Sequence, residues 1–179
     1  MRDASITAGG GAGVEAAARV VAGLVACGQT LAVAESLTGG LLSSTIVEVP
    51  GASAAFRGGL VVYATDLKAT LAGIDATLLA ERGPVDGDVA IALAEGVRER
   101  CGSDWGLATT GVAGPTEQDG IKVGTVYIGL SSPTGQSRTR LLQLPEKLGR
   151  SGIRRRTVDE SLAWLATELL SETDVTKQM

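Results

Sequence analysis

Leu31-Ala32-Val33-Ala34-Glu35-Ser36-Leu37-Thr38-Gly39-Gly40-Leu41 is the stretch on which the reading of this chain turns. A short apolar run, expected as a buried strand over Thr30–Ala34, passes through a serine, a threonine and two glycines into a helix expected over Leu41–Val47, closed before Pro50. A strand-to-helix turn of this composition brings free backbone N–H groups and the positive end of a helix dipole to one point. That suits an anion or a developing oxyanion. The chain contains no histidine, so serine chemistry at this turn has to run without an imidazole base.

Working outward, the rest of the chain supplies the layers that such a unit needs. Val14, Ala17, Val21, Leu24 and Val25 recur at helical spacing and Gly28 follows as a C-cap. Gly58–Ala64 reads as a second strand, with Asp66 as N-cap of a short helix carrying Lys68. Asp86 reads as another N-cap, ahead of Val89, Leu93 and Val97 on one helical face. Trp105–Thr110 is a third strand, ending in the loop Gly111-Val112-Ala113-Gly114-Pro115. Val123–Leu130 and Ser137–Leu144 make a hairpin through Ser-Pro-Thr-Gly. A last helix from about Ile153 carries Val158, Leu162, Leu165 and Leu169 toward the core. The pattern predicts an α/β fold, a three-layer α/β/α sandwich with a mixed sheet. Residues 1–12, with the glycine run at 9–11, are expected to form a mobile tail, and 13–179 a single domain.

Composition excludes several classes of function. With 16 basic and 20 acidic residues and few aromatics, the chain offers no general electrostatic attraction for nucleic acid or anionic membranes, and neither is expected as a partner. No apolar run approaches the roughly 18 residues of a membrane span, and no leader pattern is visible, so a cytoplasmic location is expected. Cys27 and Cys101 are read as ordinary reduced thiols. The chain has no Gly-x-Ser-x-Gly elbow, Walker loop or dinucleotide fingerprint, and no cluster with metal-ligand spacing. No metal and no cofactor is expected.

What remains is Ser36 after the first strand, Tyr63 at the end of the second, and Lys68 five residues on. Carboxyl ends of neighbouring strands converge on one crevice, and a lysine serves as a general base once burial depresses its pKa. Each residue also has a plainer reading, as a helix cap, a core tyrosine and a solvated charge. From Arg138 to Arg156 the chain holds Arg138, Arg140, Lys147, Arg150, Arg154, Arg155 and Arg156 against Glu146, which reads mainly as a solvated face.

Five groups of residues carry a resemblance. They are Ala34-Glu35-Ser36-Leu37-Thr38-Gly39-Gly40; Val49-Pro50-Gly51-Ala52-Ser53; Gly58-Gly59-Leu60-Val61-Val62-Tyr63 with Lys68; Thr110-Gly111-Val112-Ala113-Gly114-Pro115; and Val123-Gly124-Thr125-Val126-Tyr127. In this order they resemble the CinA C-terminal domain family, whose characterised activity is that of a nicotinamide-nucleotide amidohydrolase of the PncC type. The resemblance implies deamidation of nicotinamide mononucleotide to nicotinate mononucleotide and ammonia, in pyridine-nucleotide salvage. Ser36 stands at the nucleophile position, Lys68 at the general base, and Tyr63 at a neighbour that orients or relays protons. Thr38, Gly39 and Gly40, with Thr110, Gly111 and Gly114, are implied oxyanion or phosphate donors. Arg150 matches a family arginine suited to a substrate phosphate, or else to a structural or interface ion pair. A nucleotide substrate, a homodimer and the stand-alone form of the domain are expected. The chain departs from the family pattern at Leu37, at Pro84 and Asp86, at Leu148-Gly149, and in the loop Thr116-Glu117-Gln118-Asp119-Gly120-Ile121-Lys122. The alternative that these departures raise is a nucleotide-binding or regulatory module that has lost the chemistry.

Overall fold

A computed structural model describes residues 11–176. The elements run in the order α1 (Ala12–Cys27), β1 (Leu31–Glu35), α2 (Leu41–Val47), β2 (Phe56–Val61), α3 (Thr65–Thr70), α4 (Ala76–Arg82), α5 (Gly87–Cys101), β3 (Trp105–Gly111), β4 (Thr125–Ser131), β5 (Ser137–Gln143) and α6 (Gly149–Thr176). The five strands form one sheet in the order β2-β1-β3-β4-β5. β2, β1 and β3 are parallel, while β3, β4 and β5 are antiparallel neighbours. The mixed α/β architecture expected from sequence is therefore the observed one.

Alternation along the strands divides the core into two layers. Leu31 and Val33 of β1, Leu107 of β3 and Ile128 of β4 pack beneath α1, α2 and α6, against Leu24, Ile46 and Leu162. Ala32, Ala34 and Ala108 face the other way, toward Val89, Leu93 and Val97 of α5. Small residues on that second face let α5 lie unusually close. A Cβ added at Gly106 would stand 1.9 Å from the Ala94 carbonyl oxygen, and one at Gly129 1.9 Å from that of Ala90. Backbone thus meets backbone with no side chain between.

Several expectations about boundaries are corrected. α1 starts at Ala12, inside the expected tail, while residues 1–10 of that tail lie outside the described ones. The second strand ends at Val61, and α3 is preceded by Ala64 without a side-chain cap. Asp66 instead sits in the first turn of α3, where a carboxylate still meets the helix dipole. Asp86 does cap α5, accepting from the Asp88 N–H. α4, capped by Asp75, was not anticipated. α6 begins at Gly149, about a turn earlier than expected, which places Arg150 in its first turn.

Candidate active site

β1 delivers Glu35 and Ser36 to the carboxyl edge of the three parallel strands. Glu35 is fully buried, yet its carboxylate is well satisfied. It accepts from the backbone N–H groups of Gly40 (2.9 Å), Leu42 (3.0 Å) and Ser43 (2.8 Å), and from the Ser43 hydroxyl (2.6 Å). These are the orphan donors at the start of α2, where a negative charge is favoured. From the opposite side Arg154 of α6 donates through Nε to the Leu37 carbonyl (3.0 Å) and through Nη2 to that of Thr38 (2.6 Å). The Thr38 and Thr109 hydroxyls are bonded at 2.8 Å. The turn over residues 36–40 is thus held by its N–H groups and its carbonyls at once.

Lys68 approaches from α3. Its side chain is 1% exposed, and Nζ lies 3.1 Å from Ser36 Oγ and 2.9 Å from the Val62 carbonyl oxygen. No carboxylate pairs with it among the described residues. Burial without a counter-ion lowers its pKa from the ordinary 10.5 to about 8. A large fraction of neutral amine near pH 8 follows, with its nitrogen beside a serine hydroxyl.

Ser36 and Lys68 open onto a cavity of about 330 Å³, within the range of small-molecule sites. Tyr63, Gly111, Gly114 and Arg150 also line it, together with Leu37, Thr65, Pro84, Val85, Val112, Ala113, Thr116, Glu117 and Gln118. Arg150 bridges two parts of the rim. Its Nη1 donates to the Gly114 carbonyl (2.6 Å) and its Nη2 to the Tyr63 hydroxyl (2.7 Å). Tyr63 is 58% exposed, a rim residue and not a core one.

The structure therefore gathers Ser36, Lys68, Tyr63, Gly111, Gly114 and Arg150 at one cavity. It does not bring Thr38, Gly39, Gly40 or Thr110 to the cavity wall. The Gly40 N–H is taken by Glu35, the Gly39 N–H by the Ser36 carbonyl, the Thr38 hydroxyl by Thr109, and the Thr110 hydroxyl by the Pro84 carbonyl. Glu35 and Arg154 were missed as organisers of the turn. An acid placed directly before the serine, eight residues ahead of Ser43, was a readable signal for the first. The second required knowing where α6 crosses. Among the described residues no group of three or more His, Cys, Asp or Glu could hold a metal ion, and Cys27 and Cys101 are free thiols. No described helix is long and apolar enough to cross a membrane.

Residues 14–169 match the family described as CinA C-terminal domain. The chain belongs to that family. This CinA-type domain is 57% identical over 122 residues to a CinA-like protein of Frankia casuarinae, covering 68% of this chain and 28% of that protein. It is 46% identical over 149 residues to a CinA-like protein of Gloeobacter violaceus, covering 83% of this chain and 35% of that one. The CinA-type chain thus spans about a third of the length of these relatives. Among solved structures it superimposes on the competence/damage inducible protein CihA of Agrobacterium tumefaciens with a TM-score of 0.84 and 30% identity, covering 88% of this chain and 95% of the other. The CinA superfamily protein KP700603 of Klebsiella pneumoniae gives 0.84 and 26%, with 89% and 98% covered.

Proposed function

We propose that this chain is an amidohydrolase that converts nicotinamide mononucleotide and water to nicotinate mononucleotide and ammonia, with Ser36 as nucleophile and Lys68 as general base. The observation that carries this reading is the buried Lys68 amine 3.1 Å from Ser36 Oγ, without a counter-ion, at the floor of a ligand-sized cavity. Neutral Lys68 takes the hydroxyl proton as Oγ attacks the carboxamide carbon. The resulting ammonium then gives that proton to the amide nitrogen as the C–N bond breaks, and ammonia leaves. Water hydrolyses the acyl-serine with Lys68 as base again, and the free acid departs.

The residues around this pair divide the remaining work. Gly111, the last residue of β3, and Gly114, in the loop that follows it, line the cavity with Ser36. That loop is our candidate for oxyanion donors, since the Gly39 and Gly40 N–H groups are already engaged. Arg150, whose planar fork suits a phosphate, is our candidate for the nucleotide's anionic end. Tyr63, hydrogen-bonded to Arg150, orients that fork and closes the rim.

Ammonia release from nicotinamide mononucleotide by the purified protein, without added metal, tests the reading. Release by the wild type, lost in Ser36→Ala and Lys68→Ala with the fold retained, supports it. Full activity in either variant sinks the mechanism.

A further inference from the structure

We propose that Glu117 makes this cavity selective for an amide whose ring carries a positive charge. The inference rests on the amidohydrolase reading for its substrate and adds a specificity determinant to it. Glu117 lines the cavity together with Ser36, Lys68 and Arg150. It lies in the 116–122 loop, which the catalytic chemistry leaves unused. Its side chain is exposed and forms no ion pair or hydrogen bond among the described residues. The two cations that line the same cavity are engaged elsewhere, Arg150 with Gly114 and Tyr63 and Lys68 with Ser36 and Val62.

An unpaired carboxylate in a concave, partly apolar site is a fixed negative potential facing whatever binds. Leu37, Val85, Val112 and Ala113 supply apolar wall for a flat ring, and such wall does not distinguish a cationic ring from a neutral one. Glu117 does. Apart from the buried Lys68 amine, the cavity lining carries one charge of each sign, Glu117 and Arg150, and it complements a zwitterion with a cationic heteroaromatic amide and an anionic tail. Nicotinamide mononucleotide has that form, whereas its dihydro form keeps the amide and the phosphate but has an uncharged ring.

Titration calorimetry at low salt with Ser36→Ala protein, using these two compounds as probes, reads the preference directly. The cationic ring is expected to bind about tenfold more tightly than the neutral one. Glu117→Gln narrows the gap about threefold, the scale of one solvent-screened charge, and Glu117→Lys abolishes it. Equal affinities with Glu117 present, a gap that Glu117→Lys leaves unchanged, or binding of neither probe overturns the inference. Ammonia release by the Ser36 protein is measured alongside. Turnover without a charge preference removes this inference alone, and a charge preference without turnover removes the amidohydrolase reading alone.

Discussion

Burying Lys68 without a counter-ion costs stability, and the cost depends on pH. Its folded pKa of about 8 lies below its ordinary 10.5. Between those values the unfolded chain binds more protons than the folded one, so this residue's contribution to stability rises with pH from about 8 to 10.5. Below pH 8 the folded state carries the whole penalty of a buried, unpaired charge, roughly 3 kcal/mol. Replacing Lys68 with methionine removes that penalty but leaves the Val62 carbonyl without its donor, at about 1–2 kcal/mol. Lys68→Met is therefore expected to abolish turnover and yet gain about 1 kcal/mol at pH 7, a Tm rise of roughly 2–4 °C. Thermal melts at pH 7 and pH 10 check this, because the advantage has to shrink as pH rises; an advantage that grows with pH contradicts the assignment. In the wild type, kcat/KM is expected to climb about tenfold per pH unit and to level off near pH 8, where neutral amine predominates. Arg150→Ala, which leaves the Ser36–Lys68 pair in place, is expected to raise KM about tenfold with a smaller change in kcat; steady-state kinetics with the mononucleotide separate the two.

The 36–40 turn works as one element because its two sets of backbone groups are held by residues from different layers. Glu35 takes the N–H groups and Arg154 the carbonyls. Glu35→Ala strands three backbone donors in a buried site, at about 3 kcal/mol, so a Tm drop of roughly 6–12 °C is expected. If the turn sets the place of Ser36 Oγ, the same variant loses about a hundredfold in kcat at temperatures where it remains folded. Circular dichroism and single-turnover ammonia release on one preparation check both, and a wild-type kcat in a folded Glu35→Ala protein contradicts the positioning role. Much of this element was legible in sequence. The apolar run, the serine, the glycines and the following helix announced a strand, a turn and a backbone-rich junction. What could not be read was where the exposed-looking donors of Thr38–Gly40 go. Those donors go to the Ser36 carbonyl, Glu35 and Thr109, while the Thr38 carbonyl takes its donor from Arg154, 116 residues away, which only the crossing of α6 supplies. The cap of α3 was misread for a local reason. An aspartate inside the first turn and one at the N-cap both favour the helix start, and sequence alone does not separate them.

At the scale of the molecule, a buried apolar strand between helical periods predicted helices layered on a mixed sheet, and the fold obeys that pattern. The closeness of the layers was hidden in residues that carry no side chain. Gly106 and Gly129 read as gaps in otherwise good strands, and their function is visible only with α5 in place. The contact geometry makes one substitution act in opposite directions at two glycines. At Gly129 a methyl group would meet the Ala90 carbonyl oxygen at 1.9 Å and the Ile91 nitrogen at 3.0 Å, and backbone atoms of a docked helix cannot turn aside. Gly129→Ala therefore has to lift α5 from the sheet, at about 3 kcal/mol, for a Tm drop of roughly 6–12 °C. At Gly23, in the interior of α1, the added methyl meets only Leu169 side-chain atoms, at 3.4 and 3.6 Å, which is ordinary packing against α6. There alanine gains helix propensity and loses nothing, so Gly23→Ala is expected to raise stability by about 0.5–1 kcal/mol and Tm by roughly 1–4 °C. Differential scanning calorimetry of the two single variants checks both signs. A rise at Gly129 would show that α5 is not seated backbone to backbone on the sheet, and a fall at Gly23 would show that α1 and α6 lie closer than ordinary contact.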